Sequence, residues 1–167
     1  PSFDQPGFKS PYLISLTIPK DLKAISNSPE ISRSIVTDEF VKIQFAETRP
    51  TPTYLLAIAV GPFDIIDFGV ISKNEIRDFD IPLRAIARRG RAKDMNFIMN
   101  ITPKFVDIFE KQLVQAYPFK KLDIIAAPQW PSGATELSAA ITYREQSVLL
   151  GDKPAPGAKL RIMGTHA

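Results

Sequence analysis

Apolar and polar residues alternate along much of the first half of the chain, with the period of strands. Tyr12, Ile14, Leu16 and Ile18 share one face and Ser15 and Thr17 the other, which predicts a half-buried strand over 12–18. Residues 23–27 read as a short second strand closed by Ser28 and Pro29, and 34–37 as a further one. Val41, Ile43 and Phe45 alternate with Lys42, Gln44 and Ala46, again one-sided. Residues 54–60, YLLAIAV, are continuously apolar, the pattern of a strand buried on both faces. Gly61 and Pro62 punctuate it, and 63–70 extend the ribbon. Strands at this spacing argue an all-β unit up to about residue 79, without a catalytic constellation.

The texture changes at the charged stretch 74–80. Residues 81–87 alternate as a strand ended by Gly90. Phe105, Ile108, Phe109, Leu113 and Ala116 then fall on one face of a helix. Asp94 caps an earlier turn carrying Met95, Ile98 and Met99. Pro103 either kinks one helix or starts a second with Thr102 as its cap. Tyr117-Pro118 stops the helix, 122–127 (LDIIAA) reads as a strand, and 128–131 lead into residues 133–145, GATELSAAITYRE. There a glutamate sits in a small-residue run followed at once by a strand over 140–143, expected to continue through 146–150. Residues 151–157 form a loop with two prolines, and 158–167 begin another helix.

Small residues at Gly133 and Ala134 let a backbone approach a ligand closely. A strand beside them offers an edge to which an extended peptide can add. Read from the residues alone, Glu136 is either a ligand-facing acid on that edge or a solvent-facing one in a tight connection.

Composition narrows the classes. Fifteen prolines spread along the chain suit short strands and turns, and 44% hydrophobic residues argue against disorder. With no cysteine there is neither a disulfide nor a thiolate ligand or nucleophile. The net charge of +3 is mild. Its one basic cluster, Arg84, Arg88, Arg89, Arg91 and Lys93, lacks interleaved aromatics and reads as a solvated strand end, so no nucleic-acid partner is expected. No apolar run is long enough for a membrane span, and nothing assigns a compartment. The opening on Pro1 without a signal-peptide pattern reads as the middle of something longer.

GATEL-SAA-ITYRE resembles the GAMEN-WGL-ITYRE signature of the thermolysin-like zinc aminopeptidases, the alanyl/leucyl aminopeptidase and leukotriene-hydrolase family. Gly133, Ala134, Glu136 and Ile141 to Glu145 keep the pattern, while Thr135, Leu137, Ser138 and Ala139 depart from it. PSFDQP at the start resembles the family's PCFDEP, differing at Ser2 and Gln5, and 50–60 resembles it more weakly. The resemblance implies a β-rich α+β fold: residues 1–79 as the end of an N-terminal antiparallel β-domain, and 80–167 as the first part of a thermolysin-like α/β catalytic domain. It favours one long kinked helix around Pro103. It also implies a peptide substrate whose free amino group meets Glu136, with Gly133, Ala134 and Thr135 presenting backbone groups.

Zinc is the family's cofactor, held by H-E-x-x-H and a third ligand about a helix later. This sequence has no such motif and a single histidine, His166. Either His166 stands at the first ligand position, with Ala167 where the glutamate belongs, or the motif follows Ala167. No metal ligand and no catalytic residue is assigned, and the chain alone is expected to be inactive, free of zinc and prone to self-association. The rival reading is a non-catalytic β-rich binding or scaffold domain, or a pseudo-peptidase.

Overall fold

A computed structural model describes residues 3–151 together with 156 and 157, so the helix expected over 158–167 lies outside the described residues. Strands β1 (Ser15–Pro19), β2 (Lys23–Ser26), β3 (Glu30–Ile35), β4 (Phe40–Phe45) and β5 (Ile58–Gly61) build the first part of the chain. β4 lies between β1 and β3 in an antiparallel sheet. Its alternation is literal: Val41, Ile43 and Phe45 are buried and the residues between them exposed. They form a small core with Ile18 and Ala24, while β3 is exposed throughout as an edge.

β2 and β5 pair separately as a two-stranded antiparallel ribbon. The apolar run 54–60 is therefore not one doubly buried strand. Thr53–Leu55 turn as a 3₁₀ helix, and within β5 Ile58 and Val60 are exposed. β2 is buried at Ala24, Ile25 and Ser26, whereas β5 covers the neighbouring sheet through the face of Ala59, which leaves Ile58 and Val60 uncovered.

That neighbour is a five-stranded sheet, ordered β6 (Phe63–Ile71), β7 (Ile81–Arg88), β8 (Leu122–Ala127), β10 (Ala140–Arg144) and β9 (Ala134–Thr135). β6 runs antiparallel to β7, β8 is parallel to both β7 and β10, and β9 is antiparallel to β10. β6 thus pairs across the charged stretch at 74–80. The period of two sorts the central strands between two cores. Leu83, Ala85, Ile124 and Ala126 pack with the helical layer, while Ile86, Ile125 and Ala140 pack with Ile25, Ala57 and Leu137.

The helical layer is α1 (Asn96–Leu113), entered through a 3₁₀ turn at Ala92–Met95. It runs uninterrupted through Pro103, so Thr102 is no cap. The Thr102 hydroxyl instead donates to the Ile98 carbonyl at 2.8 Å, and Pro103 offers no N–H to Met99 one turn back. The buried stripe is Ile98, Met99, Thr102 and Glu110, and the stripe through Ile108, Phe109 and Leu113 is left half-exposed. Val114 ends the helix in the left-handed conformation at φ 50°. Residues 146–150 also differ from expectation, because β10 does not continue. Its partner β8 stops at Ala127, before Pro128, and a short helix α2 (Glu145–Val148) turns the fully buried Val148 into the core.

Glu110 sits in the buried stripe because of Arg77. The Arg77 guanidinium is fully buried and meets Glu110 at 2.8 Å, and it also donates to the carbonyls of Ser72 and Phe79. The Glu110 carboxylate further accepts from the Tyr117 N–H and the Asn74 amide, both at 2.7 Å. One ion pair therefore closes the β6–β7 loop onto α1. Burial alone would raise the Glu110 carboxyl. The Tyr117 N–H, Arg77 and Asn74 outweigh it and hold the group below the usual carboxylate value.

Two outcomes follow. Arg77→Met leaves a buried carboxylate without its cation and should lower the unfolding free energy by about 3–5 kcal/mol. Arg77→Met combined with Glu110→Leu should recover part of that loss. Urea denaturation of both variants checks this, and an unchanged midpoint in Arg77→Met would show the pair to be of no consequence.

The second outcome concerns acid. A depressed folded value means that Glu110 contributes in full above its ordinary value of 4.5, and the contribution is lost as pH falls through the lower folded value. Stability should therefore decline below pH 4.5 more steeply in the wild type than in Glu110→Gln. Identical slopes in a pH series of urea midpoints would refute the assignment.

Candidate functional site

The arm between β8 and β10 is shaped first by its own side chains. β9 pairs Thr135 with Thr142 and Ala134 with Tyr143, and the Arg144 N–H extends the ladder to the Gly133 carbonyl at 3.0 Å. The Arg144 guanidinium reaches the carbonyls of Trp130 (3.1 Å) and Pro131 (2.8 Å). The Trp130 indole N–H donates to the Thr135 hydroxyl at 3.1 Å, and the Ser132 hydroxyl donates to the Ala134 carbonyl at 2.9 Å. These contacts use up the Thr135 side chain inside the arm, while its backbone pairs with Thr142 of β10.

Among the described residues β9 is the outermost strand of its sheet, with β10 its one strand neighbour. A Cβ placed on Gly133 would meet nothing within 4 Å, so the space in front of the glycine is open. Glu136 follows β9 directly. The Leu137 N–H donates to the Thr135 carbonyl at 2.9 Å, a three-residue turn with Glu136 exposed at its apex. Leu137 itself is buried beneath. The four residues singled out in the sequence are thus contiguous on an open sheet edge. Glu136 also acts on Tyr143: burial first, and the Glu136 charge second, push that phenol far above its ordinary value, so it stays protonated.

The far end of the arm is held from below by residues that the motif does not contain. Asp123 of β8 is fully buried, and its carboxylate takes both nitrogens of a fork from Arg84 at 2.7 Å each. The Lys121 ammonium meets the same carboxylate at 2.7 Å and donates to the Ala139 carbonyl at 3.0 Å. The Asp123 N–H reaches that carbonyl at 3.1 Å. Burial pushes the Lys121 amine down, against the opposing pull of Asp123. Ala139 takes the left-handed conformation at φ 61°, which brings its carbonyl down to these donors. On the other side, the side-chain amide of Asn27 donates to the Ser138 carbonyl at 2.7 Å.

Sequence reasoning missed Asn27, Lys121 and Asp123 and placed Arg84 in a solvated basic cluster. A charged residue inside the apolar run LDIIAA was the available signal for Asp123. Asn27, more than a hundred residues from the arm, carried none.

The described residues do not fit a zinc ion: no group of three or more His, Cys, Asp or Glu among them could hold a metal, and His166 lies outside them. A separate apolar cavity of about 300 Å³ lies beneath the end of α1, lined by Phe105, Phe109, Leu113, Tyr117, Ile141 and Tyr143. Glu136 is not part of it.

Comparison with known proteins assigns both halves. The Peptidase M1 N-terminal domain matches residues 1–55, and the Peptidase family M1 domain matches residues 97–162. The chain is 33% identical to glutamyl aminopeptidase of Homo sapiens over 165 residues, which is 99% of this chain and 16% of that protein. It is 30% identical to aminopeptidase M1 of Arabidopsis thaliana over 165 residues, covering 99% of this chain and 18% of that protein. Aminopeptidase M1-B of Oryza sativa subsp. japonica is 31% identical over 149 residues, covering 89% of this chain and 16% of that protein. The chain spans about a sixth of the length of the curated relatives it matches. The two domain matches follow the same order as the small β sheets and the arm-bearing sheet, and aminopeptidases from an animal and from plants align along nearly all of the chain: it belongs to peptidase family M1, the family of zinc aminopeptidases that its arm motif resembles.

Proposed function

We propose that this chain supplies the substrate-binding arm of a zinc-dependent aminopeptidase that removes residues from the N-terminus of peptides. Glu136 takes the free α-amino group, and the backbone at Gly133, Ala134 and Thr135 aligns the peptide along the edge of β9. The observation that carries this is the exposed carboxylate at a turn immediately beyond an open edge strand. An extended peptide can add to such an edge through its main chain. An ammonium paired there with a carboxylate marks the chain end and disfavours substrates that continue past it. The open space before Gly133 supports close approach of the peptide backbone.

The division we propose places 1–79 in an N-terminal β-domain and 80–167 in the peptidase domain, with β6 as the strand by which the peptidase sheet reaches back across that line. The family is zinc-dependent. The described residues carry no ligand set for the metal, so metal and proton transfer belong to groups beyond them. The partly exposed apolar stripe on α1 supports self-association of the isolated chain.

Two measurements check the reading. In a full-length protein carrying this chain and an H-E-x-x-H motif, Glu136→Ala should lower kcat/KM on a free peptide roughly 30- to 1000-fold. The N-acetylated form of the same peptide should barely change, and the zinc should remain. An equal proportional drop on both substrates would show that Glu136 does not read the amino terminus. Separately, the 167-residue chain by itself should retain no stoichiometric zinc in equilibrium dialysis, because it has one histidine and no cysteine. Submicromolar binding by the isolated chain would contradict that.

A further inference from the structure

β2 ends in two residues whose side chains leave their own strand. The Ser26 hydroxyl donates to the Ala57 carbonyl at 2.9 Å. Asn27, only 5% exposed, gathers three segments at once. Its Oδ1 accepts the Ala57 N–H at 2.8 Å, and its amide nitrogen donates to the Leu55 carbonyl at 2.9 Å and to the Ser138 carbonyl at 2.7 Å. Both amide protons are thereby used, one on the neighbouring strand connection and one on the arm. Ser138 lies two residues beyond Glu136. The next carbonyl, Ala139, is held from the sheet by Lys121 and the Asp123 N–H. Two successive carbonyls are therefore gripped by different parts of the molecule, and the turn at Glu136 is suspended between this grip and β9.

We propose that Asn27 is a positioning residue for amino-terminal recognition: by holding the Ser138 carbonyl it sets where Glu136 stands, and so makes the arm depend on the first β sheets. The inference rests on the reading of Glu136 given above. Asn27 touches no substrate and acts through the arm alone. A short segment held at both ends keeps its apex in one place. Released at Ser138, it loses its hydrogen-bonded tie to the first β sheets and is held by the Ala139 anchor and the buried Leu137 side chain, with more freedom at the apex. Ser138 is partly exposed, so water can replace the lost donor. The cost then falls on the geometry of the arm more than on the folded state.

Asn27→Asp is the discriminating variant, because it keeps an acceptor for the Ala57 N–H and sets an oxygen against the Leu55 and Ser138 carbonyls. Asn27→Ala removes all three bonds. Both are made in the full-length protein, with zinc content and thermal midpoint recorded, beside Glu136→Ala. The expected result is a loss of about tenfold or more in kcat/KM on a free peptide, with the N-acetylated peptide little changed, so that the ratio between them falls. Hydrogen exchange read by mass spectrometry should show residues 132–140 losing protection about tenfold more than residues 23–26 and 58–61.

Unchanged protection of 132–140 in Asn27→Asp overturns the proposal whatever the kinetics. Equal loss on both peptides, or loss of the folded state in both variants, overturns it too, since Asn27 would then be a folding residue and not a positioning one. If Glu136→Ala leaves the ratio between the peptides unchanged, the reading of Glu136 has failed. If Glu136→Ala collapses that ratio while Asn27→Asp preserves it, the fault lies with the Asn27 proposal alone.

Discussion

A carboxylate with no exposure to water lies in the middle of the main sheet, and the position of the arm follows from how its charge is neutralised. A carboxylate buried inside a sheet needs charged and hydrogen-bonding partners. Arg84 comes from the neighbouring strand β7, where residue 84 lies opposite residue 123 in the register, and supplies a two-pronged contact. Lys121 supplies the second cation and has a donor left over, which it places on the Ala139 carbonyl. The neutralisation of one buried acid and the anchoring of the arm are therefore the same set of contacts. Breaking such a group by removing one member leaves an unpaired buried charge, which is more costly than never having built it.

Directed polar contacts also hold the other joints of the molecule. Arg77 and Glu110 close the long β6–β7 loop onto α1, with Asn74 and the Tyr117 backbone filling the remaining acceptor sites. Asn27 joins the β2–β5 ribbon to the arm. Arg88 reaches Glu145 at 2.8 Å, joining the end of β7 to the start of α2. The apolar cores set which surfaces meet, through nondirectional burial. The buried polar contacts have direction and set how the segments stand against one another.

Family membership gives that architecture its sense. In the proposed reading the sheet presents an edge strand and an acid to a peptide, while the small β sheets brace the arm from behind. The departures from the family's signature include Thr135, Leu137, Ser138 and Ala139. The structure gives each a place: the Thr135 hydroxyl serves Trp130, Leu137 is buried in the core, and the Ser138 and Ala139 carbonyls are the anchor points. Two of these four roles are backbone roles; the one at Ser138 tolerates a change of side chain, whereas the left-handed conformation of Ala139 favours a small residue.

Local pattern decided a good deal. The alternation at 41–45 and 81–87, and the apolar run at 122–127, became β4, β7 and β8, because strand periodicity reports directly which side chains face a core. The motif at 133–145 located the arm, since small residues and a lone acid beside a strand are a local signature. Tertiary structure alone decided the rest. The run 54–60 looked doubly buried but has one covered face, and the apolar stripe of α1 through Phe109 and Leu113 is only partly covered. Hydrophobicity records what a segment can bury, and the neighbours determine what it does bury. The strand expected over 146–150 became α2 because its ladder partner had ended. Asn27, Lys121 and Arg84 became arm-holding residues only once separate strands were brought together. Their roles consist of contacts with carbonyls and a carboxylate distant in the chain, and such contacts leave no periodic trace in the order of residues.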